Sequence, residues 1–160
     1  MVEDNLNDLK YFNEKESKKD IWRLAEKSIT FAGATPNAIG DFDGTGEPHT
    51  IFTVTGTVIC KVIAVATTTL TIDATATLEV GTAVTTAGII AQTAGDAPDV
   101  NEIWHDVSPD ASVEAATVAA EKIVNQDIIG TTDTANIKTG VIKYICLWKP
   151  LSSDGDVVAA

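Results

Sequence analysis

The sequence predicts an all-β chain, an antiparallel sandwich or jelly roll preceded by an N-terminal, partly helical arm. Three observations lead there. From Leu70 to Val80 the residues Leu70, Ile72, Ala74, Ala76, Leu78 and Val80 alternate with Thr71, Asp73, Thr75, Thr77 and Glu79 without a break. Successive side chains of a strand point to opposite faces, so this pattern puts apolar groups against a core and polar ones toward water. A half-covered face belongs to an antiparallel sheet rather than to a parallel strand covered on both sides. Second, from Ser28 onward the composition turns to Thr, Ala, Val and Gly, with turn residues separating eight or nine short apolar-polar runs, the spacing of a sandwich or jelly roll. Third, 160 residues suffice for one domain with a real core. The expected division is an arm over 1–27 and a β-sandwich over 28–160. In the alternating stretch Leu70, Ile72, Leu78 and Val80 are expected to be buried, and Thr71, Thr75, Thr77 and Glu79 exposed or at a subunit contact.

Taken in order, the first thirty residues hold six basic and seven acidic groups. Leu6, Leu9 and Phe12 share one face at helical spacing, as do Trp22, Ala25 and Ile29, with the polar EKESKKD between them. The alternative is a frayed terminus; Trp22 favours an arm, because a large aromatic needs something to pack against. SITFAG reads as a short strand, and GATPNAIGDFDGTGEP as a long turn-rich connection broken at Pro36, Gly40, Gly44, Gly46 and Pro48. HTIFTVT alternates, with Phe52 and Val54 opposed to Thr53 and Thr55. TVICKVIAVA is apolar on both faces except at Lys61, so it lies centrally or at an interface, and Ile59, Ile63 and Val65 are the candidate subunit-interface residues. AGIIAQT and EIWHDVS are short strands bounded by turn chemistry. The stretch 108–124 is ambiguous: a helix capped by Ser108 with Pro109 at its first position would bury Val113, Ala116, Ala120 and Ile123, but a strand of small residues is preferred. QDIIGTT and VIKYICLWK are expected to form a hairpin around TANIKTG, with Ile142, Tyr144, Cys146 and Trp148 on one face.

Charge narrows the function. Residues 31–160 carry five basic against sixteen acidic groups, which repels both a nucleic-acid backbone and an anionic membrane surface. No apolar run approaches the ~18–20 residues that span a bilayer, and MVEDNLNDLK lacks the order of a secretion signal, so synthesis and folding in a cytoplasm are expected. Cys60 and Cys146 each sit in an apolar run; two buried thiols are preferred over a disulfide.

Candidate chemistry is sparse. Asp41, Asp43, Thr45, Gly46 and Glu47 in DFDGTGE resemble the first half of a calcium loop, but the twelfth position from Asp41 is Phe52 where a bidentate Glu is needed, so an acidic surface turn is the better reading. His49 and His105 have no partner at ligand spacing, and no HExxH, CxxC or GxSxG occurs. His105-Asp106 beside Trp104 fits part of a sugar-binding surface or a plain strand-end anchor. No glycine-rich phosphate loop opens a helix. The expectation is a non-enzymatic structural or binding module with no catalytic residue, cofactor or metal.

The phrases ATATLEVGTA (74–83), IIAQT (89–93), EIWHD (102–106), QDIIGTTDTANIKTG (126–140) and LWKPLSSDGDVVAA (147–160) resemble small structural proteins encoded in the head gene clusters of tailed phages and prophages. The resemblance covers about residues 28–160 and leaves the first thirty outside it. It implies a virion protein of the head-decoration (cement) type: a β-sandwich on the capsid surface that ties major capsid protein subunits together, made in the host cytoplasm and assembled as a homotrimer. The arm would then carry capsid-anchoring residues, for which Tyr11, Phe12 and Trp22 are the candidates. A carbohydrate-binding module and a tail or fibre component are the competing classes.

Overall fold

A computed structural model of the chain describes residues 21–111, 113 and 118–160. Ten strands occur among the described residues: β1 (Arg23–Phe31), β2 (His49–Thr55), β3 (Val58–Ile72), β4 (Thr77–Gly81), β5 (Ile90–Ala94), β6 (Ile103–Trp104), β7 (Lys122–Val124), β8 (Ile128–Asp133), β9 (Ile137–Pro150) and β10 (Asp156–Ala159). They form two antiparallel sheets and no helix among the described residues.

The first sheet is built on the two longest strands. β3 and β9 pair from Val58–Pro150 to Ile72–Ile137, and both alternate in the way that their sequences require. Val58, Cys60, Val62, Ala64 and Ala66 of β3, with Ile142, Tyr144, Cys146 and Trp148 of β9, point inward and are buried. The residues between them face out and are partly exposed. β1 adds to the far side of β9, while β6 and β7 cap the far side of β3. The second sheet runs β10-β2-β8-β4-β5. With β7 and β10 set aside as additions, the pairs β1 with β9, β2 with β8, β3 with β6 and β4 with β5 are nested one inside the next. That nesting is the wrapped double hairpin of a jelly roll. The core fills the space between the sheets, with Trp104, Tyr144, Phe52, Ile51, Leu78 and Ile90 fully buried.

Several expectations are corrected. Leu70–Val80 is not one strand: β3 ends at Ile72, a turn carries Thr75 at φ 82°, and β4 begins at Thr77 in the other sheet. Leu70, Leu78 and Val80 are nevertheless buried, because a chain that turns the corner between facing sheets keeps the same side toward the core. Glu79 departs furthest from the pattern: it is buried and accepts a hydrogen bond from Gln92 Nε2 at 3.1 Å, while Thr77 is half-buried and Ala74, on the apolar side of the alternation, is exposed in the turn. Ile72 is only half-buried.

β8 and β9 are consecutive but do not pair, since β8 lies between β2 and β4 and β9 between β1 and β3; the expected hairpin is instead a crossing between the sheets. The first strand starts at Arg23 rather than at residue 28, because its backbone pairs with β9 along its whole length, from Arg23–Trp148 to Phe31–Gly140. Trp22, Ala25 and Ile29 therefore do not share a helical face. In the 108–124 stretch, 112 and 114–117 lie outside the described residues; Lys122–Val124 is strand, and Ile123, which a helix would have buried, is 71% exposed. The strand β10 had no counterpart in the sequence reading. Its valines alternate, and Val157 is buried against Val54.

Candidate functional site

The outer face of the first sheet is assembled from the odd positions of β3 and β9 and the even positions of β1. Register fixes who stands beside whom: Ile63 is opposite Ile145, Lys61 opposite Leu147, Val65 opposite Lys143, Ile59 opposite Lys149, and Leu24 opposite Leu147. Ile123 of β7 stands opposite Ile59, and Ile103 of β6 opposite Val65. An apolar band thus crosses every strand of the sheet on the side away from the core. Its central members are partly exposed, and at its margins Leu24 is 59% and Ile123 71% exposed. A contiguous apolar surface of this kind marks a contact surface. A groove of about 240 Å3 adjoins it at β7, lined by Thr82, Thr85, Ile89 and Lys122 among others.

Electrostatically this face departs from the rest of the chain. Against a formal charge of −12 overall, it carries Lys61, Lys143 and Lys149. Glu26 meets Lys143 at 2.8 Å and Glu121 meets Lys61 at 3.4 Å, both as exposed pairs that are worth at most ~1 kcal/mol each. The ring of Trp22 lies 4.7 Å from Lys149 Nζ and 5.3 Å from Lys61 Nζ, within cation–π range. Arg23, one residue on, sits 4.8 Å over the buried Trp148 ring.

The structure therefore brings together the three interface candidates Ile59, Ile63 and Val65 with one anchoring candidate, Trp22. Tyr11 and Phe12 lie outside the described residues. Sequence reasoning missed Ile145 and Leu147, which complete the band. Their signal was present: VIKYICLWK is apolar at odd as well as even positions apart from its lysines, as in TVICKVIAVA.

A second cluster lies in the interior and was not read from the sequence. Glu47, in the loop before β2, has a side chain only 2% exposed, its remaining exposure being backbone. Its carboxylate accepts hydrogen bonds from Gly40 N–H at 2.8 Å, Thr132 N–H at 3.0 Å and Thr132 Oγ1 at 3.1 Å, and contacts His49 Nδ1 at 3.1 Å. The β2–β8 ladder ends at His49–Gly130, so beyond it the carboxylate takes over the acceptor role toward Thr132 that a strand carbonyl would have played. Burial, and then the charge of Glu47, push the Tyr144 hydroxyl well above the ordinary tyrosine range. Among the described residues, neither that hydroxyl nor His49 Nε2 has a hydrogen-bond partner. This arrangement fastens the loop that carries Glu47 to β2 and β8.

The acidic loop itself is a chain of turns. The N–H groups of Thr35, Ala38, Asp41, Gly44 and Glu47 each donate to the carbonyl three residues back, at 2.8–3.2 Å. Asp41 Oδ2 accepts from Asn37 N–H at 2.7 Å, so this carboxylate is committed to its own loop. Gly40, at φ 96°, brings the chain so close to Ile137 that a Cβ would lie 2.3 Å from the Ile137 carbonyl. No group of three or more His, Cys, Asp or Glu converges on a possible cation position among the described residues. His105, next in the chain to Trp104, is buried as well.

Cys60 and Cys146 are neighbours on the inner face of β3 and β9, offset by one pair, and both are free thiols. The hydrogen bond between them holds Cys60 below the usual thiol range and, with burial, pushes Cys146 far above it. No family model, curated protein or solved structure matches the chain.

Proposed function

We propose that this chain is a non-enzymatic structural protein of a tailed-phage virion, a decoration or cement protein that binds the outside of the capsid shell and stabilises it. The observation that carries the reading is the outer face of the first sheet, where Ile59, Ile63, Val65, Ile145 and Leu147 form an apolar band flanked by Lys61, Lys143 and Lys149 on an otherwise acidic molecule. A surface of that composition suits docking onto another protein, with lysines steering an acidic partner into register. The motif resemblance over residues 28–160 supports the identity of the partner as the major capsid protein, and jelly rolls are common among virion proteins, an argument by fold analogy only. On this reading the protein assembles as a homotrimer about local threefold positions of the shell, contacts neither nucleic acid nor membrane, and requires no cofactor. Trp22, with Tyr11 and Phe12, belongs to the anchoring element.

The test is cosedimentation of the purified protein with purified expanded capsids. Saturable binding at about three copies per local threefold position is expected, together with a rise in the capsid's melting temperature. The double substitution Ile63→Thr with Ile145→Thr, which keeps two β-branched side chains opposite each other in the sheet, should sharply weaken binding while leaving the protein's own melting temperature nearly unchanged, since both side chains face away from the core. Absence of binding overturns the reading. A handful of copies per particle makes the protein a tail or fibre part, and a monomer that binds glycans makes it a lectin.

A further inference from the structure

We infer that Cys60 and Cys146 form a two-thiolate site for a soft d10 cation, Cu(I), set between β3 and β9 on the core side of the first sheet. The register places them. Cys60 stands opposite Trp148 and Cys146 opposite Val62, so the two cysteines are diagonal neighbours, one pair apart, on the same inward face. Both are free thiols and wholly buried. Diagonal Cα atoms of an antiparallel pair lie ~7–8 Å apart, beyond the ~4.4–6.8 Å that a disulfide accepts. A metal ion relieves that mismatch: two metal–thiolate bonds of ~2.3 Å each hold their sulfurs up to ~4.6 Å apart, against ~2.0 Å in a disulfide. The two side chains already meet, since their thiols are hydrogen-bonded to each other.

The kind of ion follows from what surrounds the pair. Among the described residues no group of three or more His, Cys, Asp or Glu converges on a cation position, so the site offers two donors. Zn(II) requires about four ligands, and the hard divalent ions require oxygen. Soft thiolates select Cu(I), which is satisfied by two of them in line. Val62 and Trp148, the residues opposite the two cysteines, are buried as well, so water does not compete for the ion.

Charge is the second requirement. Binding replaces two S–H bonds by two S–Cu bonds and releases both protons to solvent, with no change of oxidation state, and it leaves one net negative charge where the thiols were neutral. Burial opposes such a charge. β7 sets Lys122 opposite Cys60, and the hydrogen bond from Cys146 together with the Lys122 ammonium favours the Cys60 thiolate against that burial. Lys122 also lines the groove of about 240 Å3 beside Thr82, Thr85 and Ile89, which gives the ion a route from solvent to the edge of this row. Bound there, Cu(I) ties β3 to β9 from the core side and stabilises the folded chain by mass action. The site lies on the opposite face of the sheet from the docking band and does not depend on that role.

Reduced full-length protein, kept free of oxygen and titrated with Cu(I) buffered by bicinchoninate, tests the site. One Cu(I) per chain, a thiolate-to-metal absorption band and a rise in melting temperature are expected. X-ray absorption at the copper edge should show two sulfur neighbours, a measurement that needs no variant. Cys60→Ala and Cys146→Ala should each lose the absorption band and the rise in melting temperature. Lys122→Met, which keeps a long side chain at the groove, should weaken the affinity about 10–100-fold. No absorption band in the parent protein, a copper shell of nitrogen or oxygen, or Cu(I) held at the parent's affinity by either cysteine variant overturns the inference. One ion per two chains, with dimerisation, also overturns it, because the sulfurs would then come from different copies.

Discussion

Removing the carboxylate of Glu47 should be among the most damaging single changes in this chain, although it lies in a loop. In Glu47→Ala, the N–H groups of Gly40 and Thr132, the Thr132 hydroxyl and His49 Nδ1 lose their shared acceptor. The side-chain site is closed to water, with Glu47 2% and His49 3% exposed, so solvent cannot replace the bonds without local opening. A buried donor left unsatisfied costs about 1–3 kcal/mol, and breaking a buried charged contact by removing one partner costs about 3–5 kcal/mol in total. The lower end applies if the 32–47 loop relaxes outward, the upper end if the turn series and its bonds to β9 hold it in place. For a chain of this size about 3–5 kcal/mol corresponds to a fall of roughly 6–20 °C in melting temperature. Urea unfolding followed by near-ultraviolet circular dichroism measures it. Glu47→Gln should recover only part of the loss, because its amide NH2 would face donors. A loss below about 1 kcal/mol for Glu47→Ala would show that the carboxylate is not what holds the loop, and the argument from burial would fail.

Two further outcomes follow from the core. Tyr144→Phe removes a buried hydroxyl that has no hydrogen-bond partner among the described residues, so at neutral pH stability should stay within about 1 kcal/mol of the parent or rise. Since the folded state holds this hydroxyl neutral, the parent should lose stability as pH rises beyond the ordinary tyrosine range near 10, where only the unfolded chain ionises it, by up to ~1.4 kcal/mol per pH unit; Tyr144→Phe should be spared that share, and urea midpoints that run parallel for the two proteins from neutral to alkaline pH would refute this. Leu78→Ala, at a fully buried site of β4, should cost about 2–5 kcal/mol by chemical denaturation, and a cost under about 1 kcal/mol would mean that the space between the sheets is not close-packed there.

The binary alternation of this chain determined a great deal by itself. It placed most of the strands, selected an antiparallel two-sheet fold, and sorted inner from outer residues at β3 and β9, because side-chain direction in a regular strand depends only on parity along the chain; at β2 a bulge breaks that parity and sets the adjacent Ile51 and Phe52 both into the core. It also singled out Ile59, Ile63 and Val65, since an apolar residue at an outward position has no local reason to be there. What parity cannot report is which strand lies alongside which. Leu70–Val80 keeps its alternation through a corner, so nothing in the pattern reveals that Leu70 and Leu78 belong to different sheets. The β8 and β9 runs look like a hairpin because they are adjacent in sequence, yet the jelly-roll nesting gives β9 to β1 and β3, more than 60 positions earlier. Arg23–Lys27 became strand for the same reason: their backbone partners are Trp148–Tyr144, at the other end of the chain. Glu47 looked like part of an acidic surface turn, and only the approach of Thr132, 85 residues away, makes it a buried clamp. Local sequence sets the direction in which each side chain points; the strand partners, which decide what it meets there, are chosen by packing between segments that the local pattern does not connect.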